Sequence, residues 1–525
     1  MAPVTPPSRF VSKFDEEFDV VVVGYGFAGG AAAISAADAG CSVLLTEKML
    51  DPGGISITAG GGIRLAANAD DAFNYLNASS DGRTDEETLR AFSKELTTLE
   101  RYIRDLAAVN GANCETRHHP GNYPFPGFET FHAIEVTAVP DFDPLVGYPH
   151  VRGRNRGPLL FKVVEDNVAK RSIEVRCGAP AVRLIEGAKG EVQGVTLNID
   201  GKHRTVKARK GVILACGGFE ANADMQQQYW QMQPVLPTAS RGNTGDGIKM
   251  AQELGADLWH MWVSHNSYGL KHPDPQYFNA IRMKRLPDWR PEGEKDGEIV
   301  PAGHEKTVPM SWICLDQDGK RFMNENPPYA QDTGGRHMEF YDYTRMKFPR
   351  IPAYVVVDEE GRQMYPMAQT VFNDREASYY AWSDDNLKEV QSGILKQANS
   401  VAELAEIIGV DEAVVQETLD RWNHAVEIGA DEDFRRPKET MTKVATPPFL
   451  IGEIWPVVSN TQGGPRHDTK QRVVTPYDEP IPRLYEAGEL GSIWGNLYLG
   501  GGNLSECFIT GRIAGEEVAA LSDWD

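Results

Sequence analysis

At 525 residues the chain is too long for one ordinary core, so two or more domains are expected. A content of 41% hydrophobic and 24% charged residues excludes both a disordered chain and a membrane-embedded one. The formal charge of −22 repels phosphate backbones and anionic bilayers, which excludes nucleic acid as a partner and argues against stable membrane insertion.

The first ten residues, Met1 to Phe10, lack the apolar core of a secretory signal. Six scattered cysteines (Cys41, Cys114, Cys177, Cys216, Cys314, Cys507) show no CxxC pair and no metal-ligand spacing. They read as reduced thiols in a cytoplasmic protein with no metal site.

Asp19 to Val23 is a β-branched run suited to a buried parallel strand. The loop Gly24-Tyr25-Gly26-Phe27-Ala28-Gly29 follows, then a small-residue helix over 30–39 and a second strand from Ser42 to Glu47. The apolar stretch from Val20 to Ala37 is thus a strand, turn and helix, not a membrane span. Gly24 permits the tight turn, Gly26 lets backbone N–H groups approach a pyrophosphate, and Gly29 lets helix and strand pack closely. The helix N-terminus adds partial positive charge, and Glu47 is placed to accept from ribose hydroxyls.

Residues 85–110 carry helical spacing through Leu89, Phe92, Leu96, Leu99, Ile103 and Leu106. Strands are expected over 173–214. From about residue 263 the chain turns rich in His, Trp, Tyr, Pro and charge, which reads as an inserted unit with irregular loops. Helical periodicity returns over 384–428. The end, from Pro482, is a short strand, a Gly-rich loop and a helix from about Leu504 to Leu521.

A plain NAD domain has no need of the second glycine loop, Asp51 to Gly62, which contains Gly54, Ile55, Ser56, Gly61 and Gly62. Near the C-terminus, Gly488-Glu489 offers a carboxylate for ribityl hydroxyls. Gly500-Gly501-Gly502-Asn503-Leu504 then opens a helix whose N-terminus is expected to stabilise charge on a reduced isoalloxazine. Two distant segments closing on one extended cofactor point to FAD.

These motifs resemble the flavoprotein family of fumarate reductases and 3-ketosteroid dehydrogenases. The resemblance also runs through Ala215-Cys216-Gly217-Gly218-Phe219, Asn243-Thr244-Gly245-Asp246-Gly247, Gly319-Lys320-Arg321-Phe322, Asn324-Glu325 and Thr461-x-Gly463-Gly464. It implies an α/β fold: a Rossmann-like FAD-binding domain of glutathione-reductase type, split over 1–262 and 440–525, with an α+β capping and catalytic domain inserted at 263–439. It adds Lys48, Ala181, Val182, Ala215, Gly217, Asn243 and Asp246 to the cofactor contacts. The succinate dehydrogenase branch holds FAD through a His in the second loop. Here Ile55-Ser56-Ile57-Thr58 has none, so noncovalent FAD is expected.

Departures from the pattern bear on the substrate. Where fumarate reductases carry a proton-donating Arg, a carboxylate-binding Arg and a His, this chain carries Tyr329, Tyr498 and the pair Ser459-Asn460. Buried anions need paired donors, so a dicarboxylate substrate is disfavoured. Tyr498-x-x-x-Gly502 resembles the 3-ketosteroid dehydrogenase element in which a Tyr hydroxyl and a Gly N–H polarise the substrate ketone. Tyr329 is then the base for the α-proton, as a tyrosinate. Tyr123, Arg336 and His337 read as loop or ion-pair residues. Trp259, Trp262, Tyr268 and Trp312 read equally as pocket or core. The expected activity is α,β-desaturation of a small apolar ketone, a 3-oxosteroid or smaller cyclic ketone, with an unidentified electron acceptor. A flavin-dependent alkene reductase and a non-catalytic flavin-binding protein are the alternatives.

Overall fold

The computed structural model describes residues 7–153, 156–283 and 309–524. The start of the leader and residues 284–308 of the expected insertion lie outside the described residues.

Val20, Val21 and Val22 are fully buried in the first strand, Glu16–Val23. It pairs in parallel with Val43–Thr46 on one side and Lys202–Leu214 on the other, Val22 facing both Leu45 and Ile213. Ile173–Arg176 extends the sheet beyond Val43–Thr46, and Pro480–Glu486 extends it beyond Lys202–Leu214, both in parallel. An antiparallel hairpin of Ala181–Glu186 and Val192–Ile199 joins at Lys202–Leu214. Both ends of the chain therefore build one sheet, as expected.

The fingerprint helix spans Phe27–Asp38 and begins three residues earlier than its composition suggests, because extended Gly26 already acts as N-cap. It crosses the C-terminal helix, Gly502–Ala519, at backbone distance. A Cβ on Gly511 or Gly515 would lie 2.5 Å from the carbonyl oxygen of Ala28 or Ala32. The helical region 85–110 is two helices, Glu86–Leu96 and Leu99–Ala107. Between them Thr97 and Thr98 turn their hydroxyls back onto the Lys94 and Glu95 carbonyls, a local alternative to continuing the helix.

A second, largely antiparallel sheet runs in the order Trp312–Leu315, Ala353–Val357, Phe449–Thr461, Ser264–Leu270, Ile281–Met283, Ala368–Thr370. Helices Val401–Ile408 and Glu412–Ile428 cover part of it through Leu404, Val415, Leu419 and Trp422. The region expected to be irregular holds short strands, whose 3 to 7 residues show no long apolar period. Strand Phe449–Thr461 pairs with Ser264–Leu270 and Ala353–Val357, and Leu236–Pro237 joins it too. The second sheet thus pairs strands from residues 264–370 with Leu236–Pro237 and Phe449–Thr461, which lie on either side of 263–439.

The architecture is the expected α/β fold with an inserted α+β unit. Among the described residues no helix is long and apolar enough to cross a membrane, and no His, Cys, Asp and Glu cluster fits a metal ion.

Candidate active site

The chain turns from first strand to helix at Gly24, whose φ is +104° and where a Cβ would lie 2.3 Å from the Ala215 carbonyl oxygen. Gly29 is equally constrained, since a Cβ there would lie 1.8 Å from the Gly24 oxygen. Gly26 caps the helix without a side-chain hydrogen bond of its own, and of the first-turn N–H groups that of Phe27 donates to Ser56 Oγ at 3.4 Å. Gly24, Gly26, Phe27 and Ala28 line a cavity with Glu47, Lys48, Gly54, Ile55, Ser56, Ala181, Ala215, Gly217, Asn243, Asp246 and Glu489.

Glu47 is fixed at this wall by accepting the N–H groups of Tyr25 at 3.0 Å and Met49 at 2.9 Å. Burial pushes its carboxyl above the usual range. Lys48 Nζ is tied to Thr244 and Asp246, each at 2.7 Å. A glycine cradle, a helix N-terminus and a buried acid fit the pyrophosphate and ribose of a dinucleotide. Gly29 and Gly488 lie behind the lining and serve packing; a Cβ on Gly488 would meet the Ala28 Cβ at 2.7 Å. Val182 is exposed and outside the cavity, because side chains alternate along its strand and Ala181 takes the inner face.

Past Ile55, Ser56, Glu489 and Cys507 the cavity continues into a second chamber of about 210 Å³. At the junction Glu489 accepts the Thr461 N–H at 2.9 Å, and Asn243 Nδ2 donates to Glu489 at 3.4 Å and to Glu220 at 2.7 Å. Burial pushes Glu220 up to about 8, and burial together with the neighbouring Glu220 charge pushes Glu489 well up. Behind them Glu506 accepts from Ile493 N, Ser492 Oγ and Trp494 Nε1, and burial pushes it up to about 8.

Gly61, Gly62, Tyr329, Tyr498, Gly500, Gly501, Asn503 and Leu504 line the second chamber. The Tyr329 and Tyr498 ring centroids are 6.1 Å apart, and the His265 ring is 5.7 Å from the first and 4.4 Å from the second. A Cβ on Gly500 would lie 2.8 Å from the Tyr329 hydroxyl oxygen. The Tyr498 oxygen accepts the N–H groups of Gly501 at 3.0 Å and Asn503 at 3.1 Å. Burial pushes the Tyr498 phenol well above its ordinary value while those two donors hold it back, so it stays protonated.

Gly502 does not line the chamber: its N–H donates to the Leu499 carbonyl at 2.7 Å, closing the turn that precedes the helix. At the start of that helix the N–H groups of Gly501 and Asn503 donate to the Tyr498 hydroxyl.

Other named residues lie elsewhere. Tyr123 donates its hydroxyl to Asp332 at 2.6 Å, outside the chamber lining. Arg336 bonds to Asn496, and the Arg350 guanidinium donates to the His337 carbonyl. Trp312 Nε1 donates to the Tyr268 hydroxyl at 3.1 Å in the inserted core. Trp259 is buried and Trp262 is 51% exposed, and neither lines the chamber.

Sequence reading missed Arg64, Arg117, His119, Glu135, His265, Arg282 and Gln369, all of which line the chamber. Arg64, 1% exposed, donates to the Gly500 and His119 carbonyls; Glu135 pairs with Arg117 and Arg156. The absence of cations inferred from the family motif positions therefore does not extend to the chamber. Arg64 was readable, as a charge between Ile63 and Leu65 in an apolar strand. The others had no local signal, since a separate three-stranded sheet of Ile63–Ala66, Phe131–Ala138 and Asn113–His118 supplies Arg117 and Glu135 while the second sheet supplies His265, Arg282 and Gln369.

A family model described as an FAD binding domain matches residues 19–504, and the chain belongs to that family. The chain is 28% identical to a digoxin reductase of Eggerthella lenta, over 97% of this chain and 88% of that one. It is 27% identical to a 3-oxosteroid 1-dehydrogenase of Mycolicibacterium smegmatis, covering 97% and 98%. With a fumarate reductase (cytochrome) of Shewanella frigidimarina the identity is 27%, covering 96% and 77%. In fold it is similar to a 3-ketosteroid delta1-dehydrogenase from Sterolibacterium denitrificans, with TM-score 0.76, 23% identity and 96% and 100% of the two chains covered. The protein is an FAD-dependent oxidoreductase of the fumarate reductase and 3-ketosteroid dehydrogenase group.

Proposed function

We propose that this member of the FAD binding domain family desaturates the bond α,β to a ring ketone, in a 3-oxosteroid or smaller cyclic ketone. The observation behind the reading is the Tyr498 phenol, backed by two helix N–H donors and facing one chamber with Tyr329. FAD, held noncovalently against the glycine cradle, supplies the acceptor for the β-hydride.

Burial keeps the Tyr498 phenol protonated, and with its oxygen already accepting two N–H groups its O–H is left to donate to the substrate carbonyl. That donor stabilises the developing enolate, an effect worth roughly 3 kcal/mol. Tyr329, on the inserted unit, takes the α-proton. Purified protein with a 3-oxosteroid and an artificial electron acceptor is expected to reduce the dye. No dye reduction across a panel of cyclic ketones sinks the reading.

A second reading, reduction of an activated alkene, draws on Arg64, Arg117, His119 and Arg282 around the chamber, which suit an acidic substrate. It predicts rapid reoxidation of the reduced enzyme by an enone or unsaturated acid, with no reduction of the oxidised enzyme by saturated ketones.

A further inference from the structure

Asp332 belongs to the turn that starts at Tyr329, its N–H donating to the Tyr329 carbonyl at 3.0 Å. Its side chain is 99% buried and reaches across to the other unit. There Oδ2 accepts the Tyr498 backbone N–H at 2.9 Å, and from the opposite side the Tyr123 hydroxyl at 2.6 Å. One turn later Arg336 donates to Asn496 Oδ1 at 3.1 Å and to the Asn496 carbonyl at 2.7 Å. It also lies 3.6 Å from Asp332 Oδ1. One short segment of the inserted unit thus grips residues 496–498 of the dinucleotide unit at two points. Asp332 itself does not line the chamber.

We propose that Asp332 is a positioning residue that holds the Tyr498 segment in register with Tyr329 across the junction of the two units. The proposal rests on the reading of both tyrosines given above. The spacing between a carbonyl donor and an α-proton base must be held closely, since a shift of about 1 Å costs on the order of a hundredfold in rate. Tyr329 and Tyr498 come from different units, and Asp332 ties the main chain of one to the main chain of the other. Its acceptor geometry matters more than its charge, because both donors meet the same oxygen.

The test compares Asp332→Ala, Asp332→Asn and Tyr123→Phe as FAD-loaded proteins, by amide hydrogen exchange over residues 496–503 and by kcat and KM for a cyclic ketone. Asp332→Ala should retain FAD, exchange faster over that segment and lose at least about tenfold in kcat with little change in KM. Asp332→Asn keeps an oxygen for both donors and should recover kcat to within about threefold. If Asp332→Ala does not fold, Tyr123→Phe reads the same grip: faster exchange and a smaller fall in kcat are expected. Unchanged exchange overturns the grip, and faster exchange with unchanged kcat overturns the positioning role. A wild-type protein that turns over no ketone sinks the desaturase reading instead, while exchange still decides whether Asp332 holds the segment.

Discussion

The first chamber has glycines in its wall, Gly24, Gly26, Gly54 and Gly217, and a Cβ would lie 2.3 Å from the Ala215 carbonyl oxygen at Gly24 and 2.5 Å from the Asn243 amide nitrogen at Gly217. The second is walled by side chains, among them Arg64, Arg117, His265, Arg282, Tyr329 and Tyr498, from strands and loops of both units. Backbone recognition needs glycine at fixed local spacing, so it leaves a motif. Side-chain recognition needs only that distant residues converge, and convergence is a property of the sheets.

Substitutions in the two chambers should therefore fail differently. The largest effect is expected from Gly24→Ala. It forces a Cβ onto a positive φ and against the Ala215 carbonyl, so purified protein should carry little or no FAD by absorbance. A fully yellow Gly24→Ala protein would break the contrast. Next is Tyr498→Phe, which should keep its FAD and lose about 10² to 10³ in kcat, as for one oxyanion-type donor. Equal loss of FAD would show that the chambers are not separable.

A smaller effect is expected at Glu506, beneath the second chamber. Its folded carboxyl titrates near 8 against an ordinary 4.5, so the folded state holds an extra proton between those values. Stability on this account is greatest below pH 4.5 and falls as pH rises towards 8. Glu506→Gln should make the decline in Tm between pH 5 and pH 8 shallower; an unchanged slope would contradict the buried neutral acid. The smallest effect is expected from Val182→Ala, whose side chain lies outside the first chamber and whose loss should change FAD affinity by less than about twofold.

The same contrast explains what was legible in the sequence. Gly24 to Gly29, the second glycine loop and the C-terminal Gly-Glu pair announced both the fold and the cofactor, because each is dictated by local backbone demands. Tyr329 and Tyr498 were found through a family motif and do share a chamber. Spacing could not say where the Gly502 N–H points, and in the structure it closes a turn onto the Leu499 carbonyl. Val182 points away from the first chamber by strand alternation, and the chamber's arginines were missed because residues 64 and 117, on a three-stranded sheet, meet residue 282, on the second sheet, only after both have formed. The inserted unit's limits were blurred for a related reason. Strand Phe449–Thr461 is an apolar run like any other, and only its pairing partners assign it to the second sheet.

The most direct test of the central claim is anaerobic stopped-flow absorbance of the oxidised, FAD-loaded protein mixed with a 3-oxosteroid or smaller cyclic ketone. The account predicts bleaching of the flavin band by a saturated ketone, slowed about a hundredfold or more in Tyr498→Phe. Bleaching by no ketone, with prompt reoxidation of the reduced protein by an unsaturated acid, would contradict it.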